Sequence, residues 1–235
     1  MSHKVNIIRI GAVYNALGKL ANEVVFVGGA VVSLYAEREA AEVRPTDDVD
    51  VLVEIYTHQE FSKLEERLRS VGFISDMNTG FVGRFIINGI TVDIMPLAES
   101  VSGFPNRWYK EAYHNAIPIK IDERTTVKIF TAPYFLATKL EAFKNRGKNK
   151  SGLYDGRLST DFEDIVYLLV YRRKIWKEIS ELNGLIKEYL LEEFTQLLQN
   201  PNLEEWIDAH TGYASPAAHY LIIPQIEELL NERTI

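Results

Sequence analysis

Hydrophobic positions along the chain alternate between two rhythms. Residues 7–20 carry apolar side chains at helical spacing (Ile8, Val13, Leu17, Leu20), which predicts an amphipathic helix. Residues 23–27 follow as a short, almost wholly apolar run, the pattern of a strand covered on both faces. Gly28-Gly29 then predicts a turn into a helix over 30–39, and residues 48–55 read as the next strand. A charged helix is expected over 58–70, with Phe61, Leu64 and Leu68 as its buried stripe. Strands follow at 73–75, 83–87 and 90–95, the last two joined by Asn88-Gly89, a strong two-residue hairpin signal. Residues 106–115 read as helical, and 117–121 and 125–129 as another hairpin.

From Thr131 the pattern turns helical. Pro133 suits a first helical turn, and Leu136, Leu140 and Phe143 mark a packed stripe. A polar loop spans 145–159. Thr160-Asp161-Phe162-Glu163 has the form of a capping box, ahead of an apolar face at Phe162, Ile165, Val166, Leu169 and Val170. A helix is expected over 175–199, and Asn200-Pro201 and Ser215-Pro216 each read as an N-cap followed by proline. The expected architecture is α/β (α+β): a mixed β-sheet with flanking helices over 1–130, then a helical bundle over 131–235.

Composition changes this picture little. The 235 residues are 46% hydrophobic and 25% charged, ordinary for a water-soluble globular chain, and no apolar run approaches the length of a membrane span. With no signal-peptide pattern at the N-terminus, a cytoplasmic protein without membrane partners is expected. The absence of cysteine excludes disulfides and thiolate metal sites. A net charge of −7 argues against coating nucleic acid by bulk electrostatics. One local basic stretch, 144–157, holds Lys144, Arg146, Lys148, Lys150 and Arg157 against Asp155. It reads either as a solvated loop or as a grip for a polyanion such as a tRNA end.

The chemistry lies in acids placed where strands disfavour them. Side chains alternate along a strand, so Asp48 and Asp50 share a face, with Cα atoms about 6.6 Å apart, and Asp47 points away. Two such carboxylates can converge on a cation; without one they repel. Asp93 interrupts the apolar run 90–95 and completes a three-carboxylate oxygen site if its strand neighbours 48–55. Such ligands suit Mg²⁺ or Mn²⁺. Read without function, Asp48 caps a turn and Asp93 ends a strand before Pro96. Gly28 and Gly29 let backbone N–H groups approach a phosphate at a helix N-terminus, or simply make a turn.

Strand, Gly-Gly, helix, Asp-x-Asp and a further strand Asp together resemble the nucleotidyltransferase superfamily of polymerase-β-like fold. Arg44-Pro45-Thr46-Asp47-Asp48-Val49-Asp50 resembles the Arg-x-Thr-x-Asp-hydrophobic-Asp signature of the AbiEii toxin family. The run Lys139-Leu140-Glu141-Ala142, followed by Arg157 and Asp161 four residues apart, resembles that family's later segments. Residues 20–172 are covered. Gly29 departs from the serine common after the first glycine, and the gap to Asp48 is long. The resemblance implies an NTP substrate, with Asp48, Asp50 and Asp93 binding Mg²⁺ and Asp93 assisting deprotonation of the acceptor. It also implies Gly28 and Gly29 at the triphosphate and Lys139 reaching it from the helical half, with Arg146 on the same face adding charge. Arg44 and Thr46 would orient the acids or the nucleotide, and Asp161 would be functional. Lys139 also reads as a lysine at the edge of an apolar stripe, Asp161 as a helix-start acid, and Arg44 and Thr46 as loop residues. An RNA (tRNA) or protein acceptor, a toxin role and a cognate antitoxin are further implications. Transfer to a small molecule of aminoglycoside type and a silent scaffold are the alternatives. The cleft is expected between the two halves.

Overall fold

A computed structural model describes residues 2–37, 43–77, 81–98, 106–148, 152, 154–211 and 217–232. The chain divides into two compact units, one spanning Met1–Leu34 and Ala41–Thr131, the other Tyr35–Ala40 and Ala132–Ile235. Among the described residues no helix is long and apolar enough to cross a membrane.

The first unit is built on a mixed sheet. Its described strands are β1 (Val24–Val27), β2 (Asp48–Val53), β3 (Ile74–Ser75), β4 (Arg84–Ile87), β5 (Ile90–Pro96), β6 (Ile117–Lys120) and β7 (Thr126–Ile129). They lie in the order β3-β4-β5-β2-β1-β7-β6. The β2–β5 and β1–β7 pairs are parallel and the others antiparallel. All four residues of β1 are buried, as a strand covered on both faces requires. Asn88 (φ 51°) and Gly89 (φ 77°) form the β4–β5 turn with both residues left-handed, the conformation a two-residue hairpin asks for.

The helices of this unit are α1 (Ser2–Leu17), α2 (His58–Ser70) and α3 (Tyr109–His114). Helix α2 buries Phe61, Leu64 and Leu68, and Thr57 and Glu60 close a reciprocal capping box at its start. Helix α1 begins earlier than its apolar spacing implies. Its buried stripe is Asn6, Ile10, Val13 and Leu17, while Ile8 is 69% exposed and Leu20 falls in a following 3-10 helix. The helix expected over 30–39 is a 3-10 helix, Gly29–Tyr35; residues 38 and 39 lie outside the described residues. Val31 and Val32, β-branched and fully buried, suit this tight turn better than a free amphipathic helix.

The second unit holds α4 (Ala132–Arg146), α5 (Thr160–Tyr171), α6 (Ile175–Ser180), α7 (Leu185–Leu198), α8 (Leu203–Ala209) and α9 (His219–Asn231). Helix α4 is buried at every position from Ala132 to Leu140, the mark of a central helix. Three sequence expectations shift. The N-cap of α5 is Ser159, whose Oγ accepts from the Phe162 N–H, so Thr160 is already helical and no capping box forms. The helix expected over 175–199 breaks into α6 and α7 at Gly184, whose φ of 72° no right-handed helix accommodates. Asn200 turns the chain by accepting from the Asn202 N–H, and α8 starts at Leu203 rather than at Pro201. Ser215-Pro216 lies outside the described residues.

Candidate active site

Strand β2 buries Val49 and Val51 on one face and leaves Asp48 and Asp50 half-buried on the other. Parallel pairing sets Asp50 beside Asp93 of β5, and antiparallel pairing sets Asp93 beside Arg84 of β4. Arg84, Asp93 and Asp50 therefore form one row across three strands. The carboxylates of Asp48, Asp50 and Asp93 each offer an oxygen, and these atoms all lie within 4.8 Å of one another. Asp47 faces solvent, 3.8 Å from the Arg9 guanidinium. Arg84 forks onto Asp93, Nε to Oδ1 at 2.7 Å and Nη2 to Oδ2 at 2.6 Å. The same Nη2 lies 3.8 Å from Asp48 Oδ2. The hydrogen bonds to Asp93, with the charges of Asp93, Asp48 and Asp50, outweigh burial and push the Arg84 pKa up. Sequence reasoning missed Arg84, although its position was legible. Counting outward from the Asn88-Gly89 turn, Ile87 opposes Ile90 and Arg84 opposes Asp93.

Gly28 and Gly29 are packed against this cluster. Gly28 has φ 72°, and a Cβ there would lie 1.9 Å from Asp50 Oδ2. A Cβ on Gly29 would lie 2.6 Å from an Arg44 guanidinium nitrogen and 3.0 Å from Thr46 Cγ2. The glycines thus bring the turn onto Asp50, Arg44 and Thr46. The helix dipole expected behind them is smaller than an α-helix would give, because the element is a seven-residue 3-10 helix. Thr46 is 4% exposed, and its N–H and hydroxyl both donate to Asn6 Oδ1 at 3.3 Å. Asn6 Nδ2 in turn donates to the Arg44 carbonyl at 3.4 Å. Asn6, fully buried in α1, therefore braces the loop that leads into β2, a second residue missed from sequence. Its signal was an amide in an apolar stripe, where burial requires partners.

Lys139, Arg146 and Asp161 come together within the second unit, joined by Asp164. The Lys139 ammonium lies 3.3 Å from Asp161 Oδ1 and 2.5 Å from Asp164 Oδ2. Arg146 donates to both oxygens of Asp161, at 2.6 and 2.9 Å. Burial raises the Asp161 pKa, but the Arg146 hydrogen bond and the Lys139 and Arg146 charges outweigh it, leaving the carboxyl below its usual range. The basic stretch 144–157 is likewise engaged locally. Lys144 pairs with Glu193 and Arg157 with Asp155 and Glu205, while Lys148 sits over the Tyr154 ring. Lys150 lies outside the described residues.

Three convergent carboxylates on adjacent strands are hard oxygen donors of the kind Mg²⁺ and Mn²⁺ take. The bare Cα of Gly28 keeps space beside Asp50, so the residues present fit such an ion.

No protein-family model and no curated protein matches the chain. Solved structures align with most of it at low identity. An antigenic nucleotidyltransferase-like protein from Paracoccidioides brasiliensis is 17% identical, with 86% of this chain and 92% of that one covered and a TM-score of 0.49. The antibiotic-resistance factor ANT(2'')-Ia is 12% identical over 85% and 97% of the two chains, with a TM-score of 0.48. JHP933 from Helicobacter pylori is 12% identical over 97% and 94%, with a TM-score of 0.47.

Proposed function

We propose that this protein is a metal-dependent nucleotidyltransferase that moves NMP from an NTP to a hydroxyl acceptor. The observation that carries the reading is the convergence of Asp48, Asp50 and Asp93 within 4.8 Å on one sheet face, beside a glycine turn with no room for a side chain. Asp48, Asp50 and Asp93 would hold Mg²⁺ or Mn²⁺. When bound, such an ion supplies positive charge that orients a triphosphate and offsets the charge gathering on departing pyrophosphate. The strands hold the carboxylates rigidly, so little ordering remains when substrate arrives. By the resemblance, Asp93 would assist in taking the hydroxyl proton as that oxygen bonds the α-phosphorus and pyrophosphate leaves. Gly28 and Gly29 admit the triphosphate close to the backbone. Arg44 flanks that turn, with Thr46 and Asn6 fixing its loop. Lys139, Arg146 and Asp161 hold the helical unit together.

The Arg44–Asp50 run supports an RNA (tRNA) or protein acceptor and the role of a toxin held by an antitoxin partner. Each radiolabelled NTP is incubated with the protein, Mg²⁺, total RNA and a protein extract, and the labelled macromolecule identified. Label is expected on one macromolecular acceptor and is lost in Asp48→Ala/Asp50→Ala. Transfer that persists in the double variant refutes the carboxylate site. Label on an added aminoglycoside alone replaces the macromolecular acceptor with a small molecule. Absence of Asp48-dependent Mg-NTP binding leaves a silent scaffold.

A further inference from the structure

We propose that Arg84 is the resident counter-cation of the acid site, and that a divalent ion binds there by displacing it from Asp93. The inference rests on the metal reading of Asp48, Asp50 and Asp93. It is argued from where the guanidinium lies. Both oxygens of Asp93 accept from Arg84, at 2.7 and 2.6 Å, and one of the same nitrogens is 3.8 Å from Asp48 Oδ2. Arg84 thus reaches two of the three ligands at once instead of bracing one alone. A residue that merely oriented Asp93 would approach from the side away from Asp48 and Asp50.

The strands explain why an arginine stands there. Carboxylates whose oxygens approach within 4.8 Å repel one another in a partly desolvated setting, and Asp93 is only 8% exposed. A fixed positive charge relieves that repulsion while the metal is absent, and a guanidinium does so permanently because it does not lose its proton. Its planar fork fits a carboxylate with two charge-assisted bonds. A dication brought to the same oxygens meets the guanidinium as a like charge and as a rival for the same lone pairs. Arg84 itself is free to leave: its side chain is 29% exposed, and β4 continues only into the two-residue β3 at the sheet edge. The device sets a threshold, since cation affinity is reduced by the strength of the pair that must open. It also guards the fold, since the acids are neutralised in part whenever cation is scarce.

The experiment measures Mn²⁺ binding by electron paramagnetic resonance and by the Mn²⁺-induced rise in melting temperature, with no substrate present. Wild type, Arg84→Met, Arg84→Lys and Asp50→Ala are compared. Arg84→Met is expected to bind Mn²⁺ roughly tenfold more tightly than wild type, to melt lower without metal, and to gain more on adding it. Arg84→Lys, which keeps the charge and loses the fork, is expected between the two. Asp50→Ala is expected to lose the ion. Affinity in Arg84→Met that equals or falls below wild type overturns this inference alone, because Arg84 would then orient Asp93 and not compete. Should Arg84→Met fail to fold, an Arg84→Lys affinity at or below wild type overturns it equally. If neither wild type nor the Arg84 variants bind Mn²⁺, the metal reading itself is overturned, and this inference with it.

Discussion

Replacing Lys139 with methionine tests whether the second unit is locked by its ion cluster. The side chains of Lys139, Asp161 and Asp164 are 9%, 3% and 2% exposed. Methionine matches the length of lysine's stem, so the packing loss is small and the electrostatic loss dominates. Asp161 keeps Arg146, but Asp164, 2% exposed, loses the ammonium 2.5 Å away. Removing one partner of a buried ion pair costs about 3–5 kcal/mol. Asp164→Asn in the Lys139→Met background removes that charge, and recovery of about half the loss is expected, the amide still needing partners. Urea unfolding followed through Trp176 and Trp206, both in the second unit, gives the free energies. A loss below about 1 kcal/mol in Lys139→Met, or no recovery in the double variant, refutes the lock. A lysine waiting at the edge of an apolar stripe would give the small loss; an ammonium holding two helices gives the large one.

Two further outcomes follow from the same contacts. Gly28→Ala places a Cβ where Asp50 Oδ2 stands 1.9 Å away, on backbone at φ 72°. It is expected to destabilise by more than about 1 kcal/mol and to weaken Mn²⁺ binding by moving Asp50, read by melting and by Mn²⁺ titration; wild-type affinity in this variant would show that the glycine is a turn residue only. Asp161 supplies a pH dependence. Its folded pKa lies below the ordinary 3.8, so the unfolded chain takes up the proton first. The stabilisation is therefore full above about pH 4 and is lost as pH falls through the folded value. The destabilisation caused by Asp161→Asn should shrink below pH 4, and a penalty independent of pH between 6 and 2.5 would exclude this linkage.

What could be read from sequence was what neighbours in the chain decide. The stripe of α2, the Asn88-Gly89 hairpin and the shared face of Asp48 and Asp50 follow from periodicity and turn chemistry within a few residues. The approach of Asp93 to Asp50 depends on a parallel pairing between strands far apart in the chain, which periodicity allows but does not dictate. Where periodicity failed, an atypical residue had decided the matter. Asn6 sits in an apolar stripe because it bonds Thr46 and the Arg44 carbonyl, which shifts α1 toward the N-terminus. Gly184, with φ 72°, is the N-cap from which α7 starts afresh after α6 has stopped at Ser180. For Lys139 the sequence shows only an ammonium; the two carboxylates that reach it from α5 depend on packing between helices.

The two clusters of charge differ in how far their carboxylates are desolvated. In the second unit, Lys139 and Arg146 meet Asp161 and Asp164 in contacts of 2.5–3.3 Å, with the two carboxylates at most 3% exposed. The enclosed carboxylates were desolvated when the chain folded, and opening them would incur that penalty again, whereas the Arg146 side chain stays 64% exposed. In the first unit the Asp48 side chain is 40% exposed, and its nearest described arginine stands at 3.8 Å, beyond hydrogen-bond reach. Its carboxylate is held by strand geometry and stays open to solvent. A hydrated ion can therefore exchange water for carboxylate oxygen there at little desolvation cost. Both groups look alike as acids and bases spaced along a sequence, yet Asp48 and Asp50 keep an exposure that Asp161 and Asp164 have lost, while Asp93, 8% exposed, has its charge already met by Arg84.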